Sequence, residues 1–403
     1  MKVILLGLGG GTLETLTMQG REVLAASHAV IGAPRLLAAL PLECEGRLHP
    51  AAATGDILAR LQSLHCAQAA VIFSGDSGFY SGARLLLPVL REQGYDVEVF
   101  PGLSSVQLLA ARLGRPWQDW RLVSAHGVDC DAAAEVMGGQ PVFFLTGGAL
   151  GPAALCAQLA GAGLSALPVT VGENLFCPDE AVIQGTAGEL AGRSFAPLSV
   201  LLTERAPVPP RRAPGWPDEW FIRGTTPMTK QIVRSAALAK LAVTPRDVCW
   251  DVGAGTGSVS IELAAGARRV YAVEQSGQAC SLIRQNREKF HAWSLKLIEG
   301  RAPDALEKLP APDAVFVGGS GGELASIVDA ALTKAPAARL CIAAIALETL
   351  HSGIEALAAH GIEAEVTQIS VSHTKAAGGL HLLTSNNPVF LIAGSPASKG
   401  ALR

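Results

Sequence analysis

Short apolar runs that pass straight into glycine loops recur along this chain, and they restrict its fold more than any other feature. Residues 2–6 lead into Gly7-Leu8-Gly9-Gly10-Gly11, and residues 248–252 into Gly253-Ala254-Gly255-Thr256-Gly257. Residues 70–74 run into Gly75-Asp76-Ser77-Gly78, residues 97–100 into Pro101-Gly102, and residues 314–317 into Gly318-Gly319-Ser320-Gly321-Gly322. Longer alanine- and leucine-rich segments follow. Strand, glycine loop, helix, repeated, is the pattern of an α/β protein with parallel sheets. A β-branched run has no room for a ligand, but a glycine loop at its end lets backbone approach one closely.

Residues 206–217 hold five prolines in twelve positions. Such a stretch continues neither a helix nor a central strand, so it reads as a semi-rigid linker. It divides the chain into domains at 1–205 and 218–403, both of ordinary size. The halves share no similarity outside their glycine loops, which points to a fusion rather than a duplication.

Composition removes several function classes. The net charge is −3, with no Lys/Arg run, and aromatic residues are 5%. Nucleic acid is therefore not the expected partner. No stretch is long and apolar enough to span a bilayer, and the first residues turn glycine-rich too soon for a signal peptide. The eight cysteines (Cys44, Cys66, Cys130, Cys156, Cys177, Cys249, Cys280, Cys341) are scattered without a Cys-x-x-Cys. Reduced buried thiols in a cytoplasmic protein, and no metal, are expected.

In the second half, residues 229–241 read as a helix with Thr229 as N-cap, Ile232, Ala236 and Leu241 on one side, and Pro245 ending it. The strand to Val252 follows. Glu274 ends the next strand, about 20 positions past the first glycine, where a carboxylate takes both hydroxyls of a ribose. A nicotinamide fingerprint needs glycine where Ser258 stands, so a nicotinamide-dependent reductase is kept only as the alternative. Asp251-Val252-Gly253-Ala254-Gly255-Thr256-Gly257 resembles the first motif of the Rossmann-like S-adenosylmethionine methyltransferases. The likeness implies cofactor contacts from Thr229, Asp251, Gly253, Ala254, Gly255, Thr256, Gly257, Glu274 and Ala302, with Asp251 near the methionine amino group. Arg301 stands where many relatives carry Asp. The loop at Gly319, Ser320 and Gly321 replaces the Asn/Asp-Pro-Pro of enzymes that methylate nitrogen, and it leaves room for something wide.

The first half resembles the tetrapyrrole methylase family, on the loops at 7–11, 75–78 and 101–105, with Ser124-Ala125-His126-Gly127 and Gly172-Glu173-Asn174-Leu175 as later members of the set. That likeness implies a two-lobed fold with cofactor contacts from Gly7, Gly9, Gly11, Gly75, Asp76, Ser104 and Ser105. Ser104 or Ser105 caps the following helix, whose stripe of Val106, Leu109, Ala110 and Leu113 is core. Thr12 and Ser77 depart from the family's Asp and Pro.

Residues 217–221, 228–230, 251–262 and 317–323 together resemble the decarboxylating precorrin methyltransferase domain. A tetrapyrrole methylase ahead of it is the layout of bifunctional enzymes of aerobic cobalamin biosynthesis. What this layout implies is methylation of a precorrin at carbons 5 and 15 and decarboxylation of its ring C acetate. Methylation of another substrate, or a non-catalytic binding module, stay open beside it. Asp76, His126, Glu173, His373 and His381 are candidate acids or bases. Lys230, Arg234 and Lys375 are candidate cations for the substrate carboxylates. By analogy with both families, a homo-oligomer is expected.

Overall fold

The structure is a computed structural model that describes residues 1–40, 46–208 and 214–396. Cys44 and the centre of the proline-rich stretch lie outside those residues. The chain forms two compact units. One comprises Met1–Ala132, Gln140–Ala160 and Ser165–Arg205. The other comprises Ala206–Arg403 together with Ala133–Gly139 and Gly161–Leu164.

The first unit holds two sheets. β1 (Lys2–Gly7), β2 (Ala29–Gly32), β3 (Leu48–Pro50), β4 (Gln68–Phe73) and β5 (Asp96–Phe100) form a parallel sheet in the order β3-β2-β4-β1-β5. β1 is buried from Val3 onward and serves both faces. Val3 and Leu5 enter one apolar cluster, Ile4 and Leu6 the other. That is why its sequence reads as a continuous apolar run rather than an alternation. With β4 on one side and β5 on the other, β1 lies at a switch point, where the loops after all three strands open on a common crevice. The second sheet is mixed: β6 (Arg121–Ser124), β7 (Val142–Leu145), β8 (Pro168–Glu173), β9 (Ala181–Thr186) and β10 (Ser199–Thr203), in the order β6-β7-β10-β8-β9.

The second unit is built on a seven-stranded sheet. Its strands are β11 (Val248–Val252), β12 (Arg269–Glu274), β13 (Leu295–Glu299), β14 (Ala314–Val317), β15 (Arg339–Ala344), β16 (Glu365–Ile369) and, beyond a separate hairpin of β17 (Ser372–Ala377) and β18 (Leu380–Ser385), β19 (Val389–Gly394). The order is β13-β12-β11-β14-β15-β19-β16, parallel through β15, with β19 running antiparallel to both β15 and β16. Here β11 sits at the switch point. Trp250 and Val252 face one core, Cys249 the other. Both units are thus α/β with parallel sheets.

Local expectations are corrected at three places. The helix before β11 is Gln231–Leu241, with Lys230 at the N-cap position and no side-chain cap from its own segment. Asp218 Oδ1 instead accepts from the Gln231 N–H at 2.9 Å, a cap supplied from outside the helix. Its buried side is Val233, Arg234, Ala237 and Leu241, and Ile232 is half exposed. The helix also stops ahead of Pro245, where Ala242 turns left-handed and donates to Leu238 O. Finally, the end of the proline-rich stretch is not a free spacer. Trp216 is fully buried, stacked 4.8 Å from Phe290, and the Gly215 and Trp216 N–H groups donate to Glu262.

Candidate functional site: two glycine-lined clefts

In the first unit, three glycines from the ends of β1, β4 and β5 meet backbone to backbone. A Cβ on Gly7 would lie 2.6 Å from Gly75 O and 2.7 Å from Gly102 N, and one on Gly102 would lie 2.3 Å from Gly75 O. Gly9 and Gly75 exchange hydrogen bonds of 3.1 and 2.9 Å. Asp76 completes the knot: Oδ1 accepts from Gly78 N at 2.8 Å and Oδ2 from Gly102 N at 3.1 Å. Ser77, where the family carries Pro, donates to Phe100 O at 3.0 Å, so it ties the same two loops. Thr12 cannot supply a carboxylate, and its hydroxyl sits 3.4 Å from that of Thr15. Ser104 caps the helix Ser105–Leu113: Gln107 Oε1 accepts from its N–H at 2.8 Å and its hydroxyl at 3.0 Å.

These loops floor a cavity of about 530 Å³, a drug- or cofactor-sized space, whose lining includes Gly9, Gly75, Asp76, Ser105 and His126. Gly7, Gly11 and Ser104 are not part of its lining. His126 is fixed by its Nδ1, 3.2 Å from Thr146 O, and by the bare Cα of Gly147, where a Cβ would lie 1.8 Å from the ring. With Nδ1–H donating to the carbonyl, the neutral ring carries its lone pair on Nε2. Glu173 points elsewhere, accepting from the Ala196 N–H.

In the second unit the close approach is between Gly253 and Gly319. A Cβ on Gly253 (φ +68°) would lie 2.2 Å from Gly319 O. Gly255 is also left-handed, and its N–H donates to Glu274 Oε2 at 2.9 Å. Glu274 Oε1 accepts from the Gln275 and Ser276 N–H groups at 2.8 Å each, so this carboxylate positions the loop as well as facing the cleft. Ala254 N–H is held by Val273 O at 3.2 Å. Gly257 opens the helix Ser258–Ala264 with a left-handed turn. Residues 226–227 pass over the loop, Pro227 O being 3.1 Å from a Cβ built on Gly255, and they lead to Thr229 and Lys230.

Asp251 is buried at the end of β11. Ser260 donates to Oδ2, and Oδ1 has no partner among the described residues. Burial pushes its carboxyl up to about 7; the Ser260 hydrogen bonds oppose the rise and the nearby Glu274 charge adds to it. Thr256 Oγ1 is likewise buried and unpartnered. The enclosed part of this cleft is only about 40 Å³; Glu274, Ala302, Gly319, Ser320 and Gly321 line it. A carboxylate beside a left-handed glycine loop and a buried acceptor without a donor can hold a ligand that carries a diol and a cationic amine.

The other expected residues fall elsewhere. Arg234 is not a substrate cation: it is fully buried, with Nε 2.6 Å from Glu262 and Nη1 3.1 Å from Asp218, and it also donates to Thr229 O and Trp216 O. A short polar pattern cannot distinguish an internal ion pair from a binding group, because both use Arg near a helix start. His373, Lys375 and His381 are exposed on the β17–β18 hairpin, and none lines either cleft. Gly102 and Gly147 go beyond the expected set. The Pro101-Gly102 pair directly after β5 signals the first; nothing local signals the second, since its partner His126 is twenty-one residues away.

Among the described residues no group of His, Cys, Asp or Glu is arranged to hold a metal. Among the same residues no helix is long and apolar enough to cross a membrane. The described cysteines are free thiols, and burial raises that of Cys249 to about 12.

Residues 2–191 match the tetrapyrrole (corrin/porphyrin) methylases, and residues 219–394 match the precorrin methyltransferase domain. A precorrin-6Y C(5,15)-methyltransferase [decarboxylating] of Sinorhizobium sp is 31% identical over 330 residues, 79% of this chain and 78% of that one. A probable cobalt-precorrin-6B C(15)-methyltransferase (decarboxylating) of Pyrobaculum calidifontis is 43% identical over 188 residues, 45% of this chain and 96% of that one. A solved structure described as precorrin-6y C5,15-methyltransferase from Geobacter metallireducens is 38% identical, with a TM-score of 0.43, over 45% of this chain and 96% of that chain. Taken over both units, the chain belongs to the family of decarboxylating precorrin-6Y C(5,15)-methyltransferases.

Proposed function

We propose that this enzyme methylates a precorrin macrocycle at carbons 5 and 15 and removes the ring C acetate carboxyl as carbon dioxide, with S-adenosylmethionine as methyl donor. The observation that carries the reading is the pairing of two domains, each with its own glycine-lined cleft, in the order found in a relative that aligns along most of both chains. In this reading residues 1–205 are a two-lobed tetrapyrrole methylase domain acting at carbon 5. Residues 218–403 are a Rossmann-like domain acting at carbon 15 and on the acetate. The expected setting is a cytoplasmic homo-oligomer, on the family likeness.

The C-terminal cleft suits the donor. Glu274 takes the ribose hydroxyls, the unpartnered Asp251 oxygen faces the α-amino group, and the backbone at Ala302 meets the adenine. Thr229, Gly253, Ala254, Gly255, Thr256 and Gly257 form the surrounding wall. In the N-terminal cleft Gly7, Gly9, Gly11, Gly75, Ser104 and Ser105 present backbone and hydroxyl groups, and Asp76 holds the loops in register. The donor supplies an already activated methyl, and the electron-rich macrocycle is the nucleophile. The protein's part is to hold donor and carbon in line about 3 Å apart and to keep water out. Replacing C–H by C–CH₃ sheds a proton, which in this reading His126 Nε2 accepts in the first cleft. Loss of carbon dioxide leaves its electron pair in the conjugated ring, which a proton then quenches. Gly319, Ser320 and Gly321 leave width for the ring, and Lys230 and Lys375 are kept as cations for its carboxylates.

Incubating the whole chain with precorrin-6B and methyl-labelled S-adenosylmethionine tests this. The expected product has gained two labelled methyl groups and lost one carbon dioxide. Oxidation of NADPH without label incorporation would instead make the protein a reductase.

A further inference from the structure

We propose that Arg35 is the anchor for a substrate carboxylate in the N-terminal cleft. The inference rests on the proposed function and adds a specificity-determining residue to it. A precorrin carries several carboxylates, yet the chain is net negative, so the complementary charge has to be local.

The charged side chains lining the 530 Å³ cavity are Arg35 and Asp76, with His126 and Tyr80 as further titratable groups. Asp76 is spent on the loops: each of its oxygens accepts from a glycine N–H. Arg35 differs. It is exposed, and among the described residues no carboxylate lies within ion-pair distance of it. Its backbone is nevertheless held. Pro34 starts the one-turn helix Pro34–Leu37, and Leu36 and Leu37 are buried at 4% and 6% exposure. A guanidinium on a fixed stem at the rim of a cavity gives up less freedom on binding than one on a mobile loop.

Along the cleft it lines the cavity together with Gly9 and Gly10 of the first glycine loop. The Cys177 thiol lies 3.6 Å from Gly10 O on the same loop; burial and then Asp179 raise it, and Arg35 opposes them. Arg35 therefore stands on the side of the first glycine loop, while His126 lies on the other sheet's segment. Phe73, Phe79, Leu108 and Leu145 give the cavity apolar walls between polar ends. A flat macrocycle with peripheral carboxylates fits such a surface, apolar face to the walls and one carboxylate to the guanidinium fork. The second cleft provides the contrast: its lining cation, Arg301, is already paired with Glu323 at 3.1 Å.

The test uses the whole chain, with carbon 5 methylation read as methyl gained without loss of carbon dioxide. For Arg35→Gln, KM for the precorrin should rise about tenfold to a hundredfold, the range of a charge-assisted hydrogen bond, with kcat within about twofold. Affinity for S-adenosylhomocysteine and the melting temperature should not move. Arg35→Lys should recover part of the loss, because charge returns without the fork. An unchanged KM in Arg35→Gln, or a loss of cofactor affinity and stability in step with KM, overturns the assignment. If the N-terminal cleft of the unaltered chain binds no S-adenosylhomocysteine, the functional reading itself fails, which separates the two outcomes.

Discussion

In the N-terminal cleft, Gly7, Gly75 and Gly102 pack against one another with no side chain between them. In the C-terminal cleft, Gly253 meets Gly319, but the surrounding geometry is held by carboxylates: Glu274 on three N–H groups, Asp251 on Ser260, and Glu262 within the helix that follows the loop. The first arrangement depends chiefly on close backbone packing, with Asp76 bridging two of its loops, so it is intolerant of a single methyl. The second depends on buried charge, so its stability and its ligand affinity are tied to protonation and to pairing. Two sites of similar loop chemistry should thus fail in different ways.

The largest effect is expected at the buried pair. In Arg234→Met, Glu262 keeps two backbone donors but loses its buried cation. Breaking such a pair costs about 3–5 kcal/mol, or roughly 10 °C for a domain of this size. Calorimetry should show the C-terminal transition falling and the N-terminal one unmoved. Adding Glu262→Leu should restore only part of the loss, because the Gly215 and Trp216 N–H groups then lack an acceptor. A single transition that falls as a whole would break the comparison between the units.

Next comes the shape-dependent knot. Gly102→Ala puts a methyl 2.3 Å from a carbonyl that cannot move independently of its loop. A destabilisation of about 2 kcal/mol or more, with loss of carbon 5 methylation and retention of carbon 15 chemistry, is expected. Gly11→Ala is the control. Nothing lies within 4 Å of its Cβ, and only its φ of +91° penalises alanine, by about 1–2 kcal/mol. If the two variants behave alike, backbone conformation rather than close packing governs this cleft.

The parallel sheets and the glycine loops were legible because their pattern is local: an apolar run buried on both faces must be followed by a residue without Cβ wherever another loop touches it. The strands at 248–252 and 314–317 coincide with their expected bounds, and Ser104 caps as expected. What was not legible depends on partners far along the chain. Asp218 caps a helix that starts thirteen residues later, Gly147 makes space for His126, and Arg234 is neutralised by Glu262 twenty-eight residues on. Sequence spacing shows a charge but not which residue lies opposite it. Hence Arg234 read as a binding group although it is part of the core, while Arg35, in a short segment between strands, gave no motif.

The protonation of Asp251 gives a smaller but more diagnostic effect. Its carboxyl is raised to about 7 from 3.8, so between about pH 4 and 7 the folded state holds more protons than the unfolded one. Stability contributed by the neutral acid is full below about pH 4 and is lost as pH rises through 7. Asp251→Asn should flatten that part of the pH–stability curve. A cationic amino group at Oδ1 reverses the preference. Affinity for S-adenosylhomocysteine at this cleft should rise from pH 5.5 to about 7.5, with release of up to about one proton per site near pH 6. Titration in two buffers of different ionisation enthalpy measures it. Proton uptake, or none, would place the amino group elsewhere. The N-terminal cleft should show no such dependence from a buried acid.

The smallest expected effects concern two cations of the second unit, half-buried Lys230 and exposed Lys375. Lys230 sits at the start of the helix after residues 226–227, which cross the glycine loop, whereas Lys375 is on the exposed hairpin. A solvated ammonium facing a substrate carboxylate contributes about 0.2–1 kcal/mol, so each change to Met should raise the KM for carbon 15 methylation by about twofold to fivefold and leave kcat unaltered. The N-terminal site provides the scale. Arg35, a forked donor on a fixed stem in a cavity, should cost more than either lysine. If Lys375→Met exceeds Arg35→Gln in its effect on substrate affinity, the hairpin reaches the macrocycle, and the C-terminal cleft is larger in use than its 40 Å³ enclosed part. If neither lysine variant moves KM, the second cleft holds the substrate through the backbone of Gly319, Ser320 and Gly321, and charge recognition belongs to the first cleft alone.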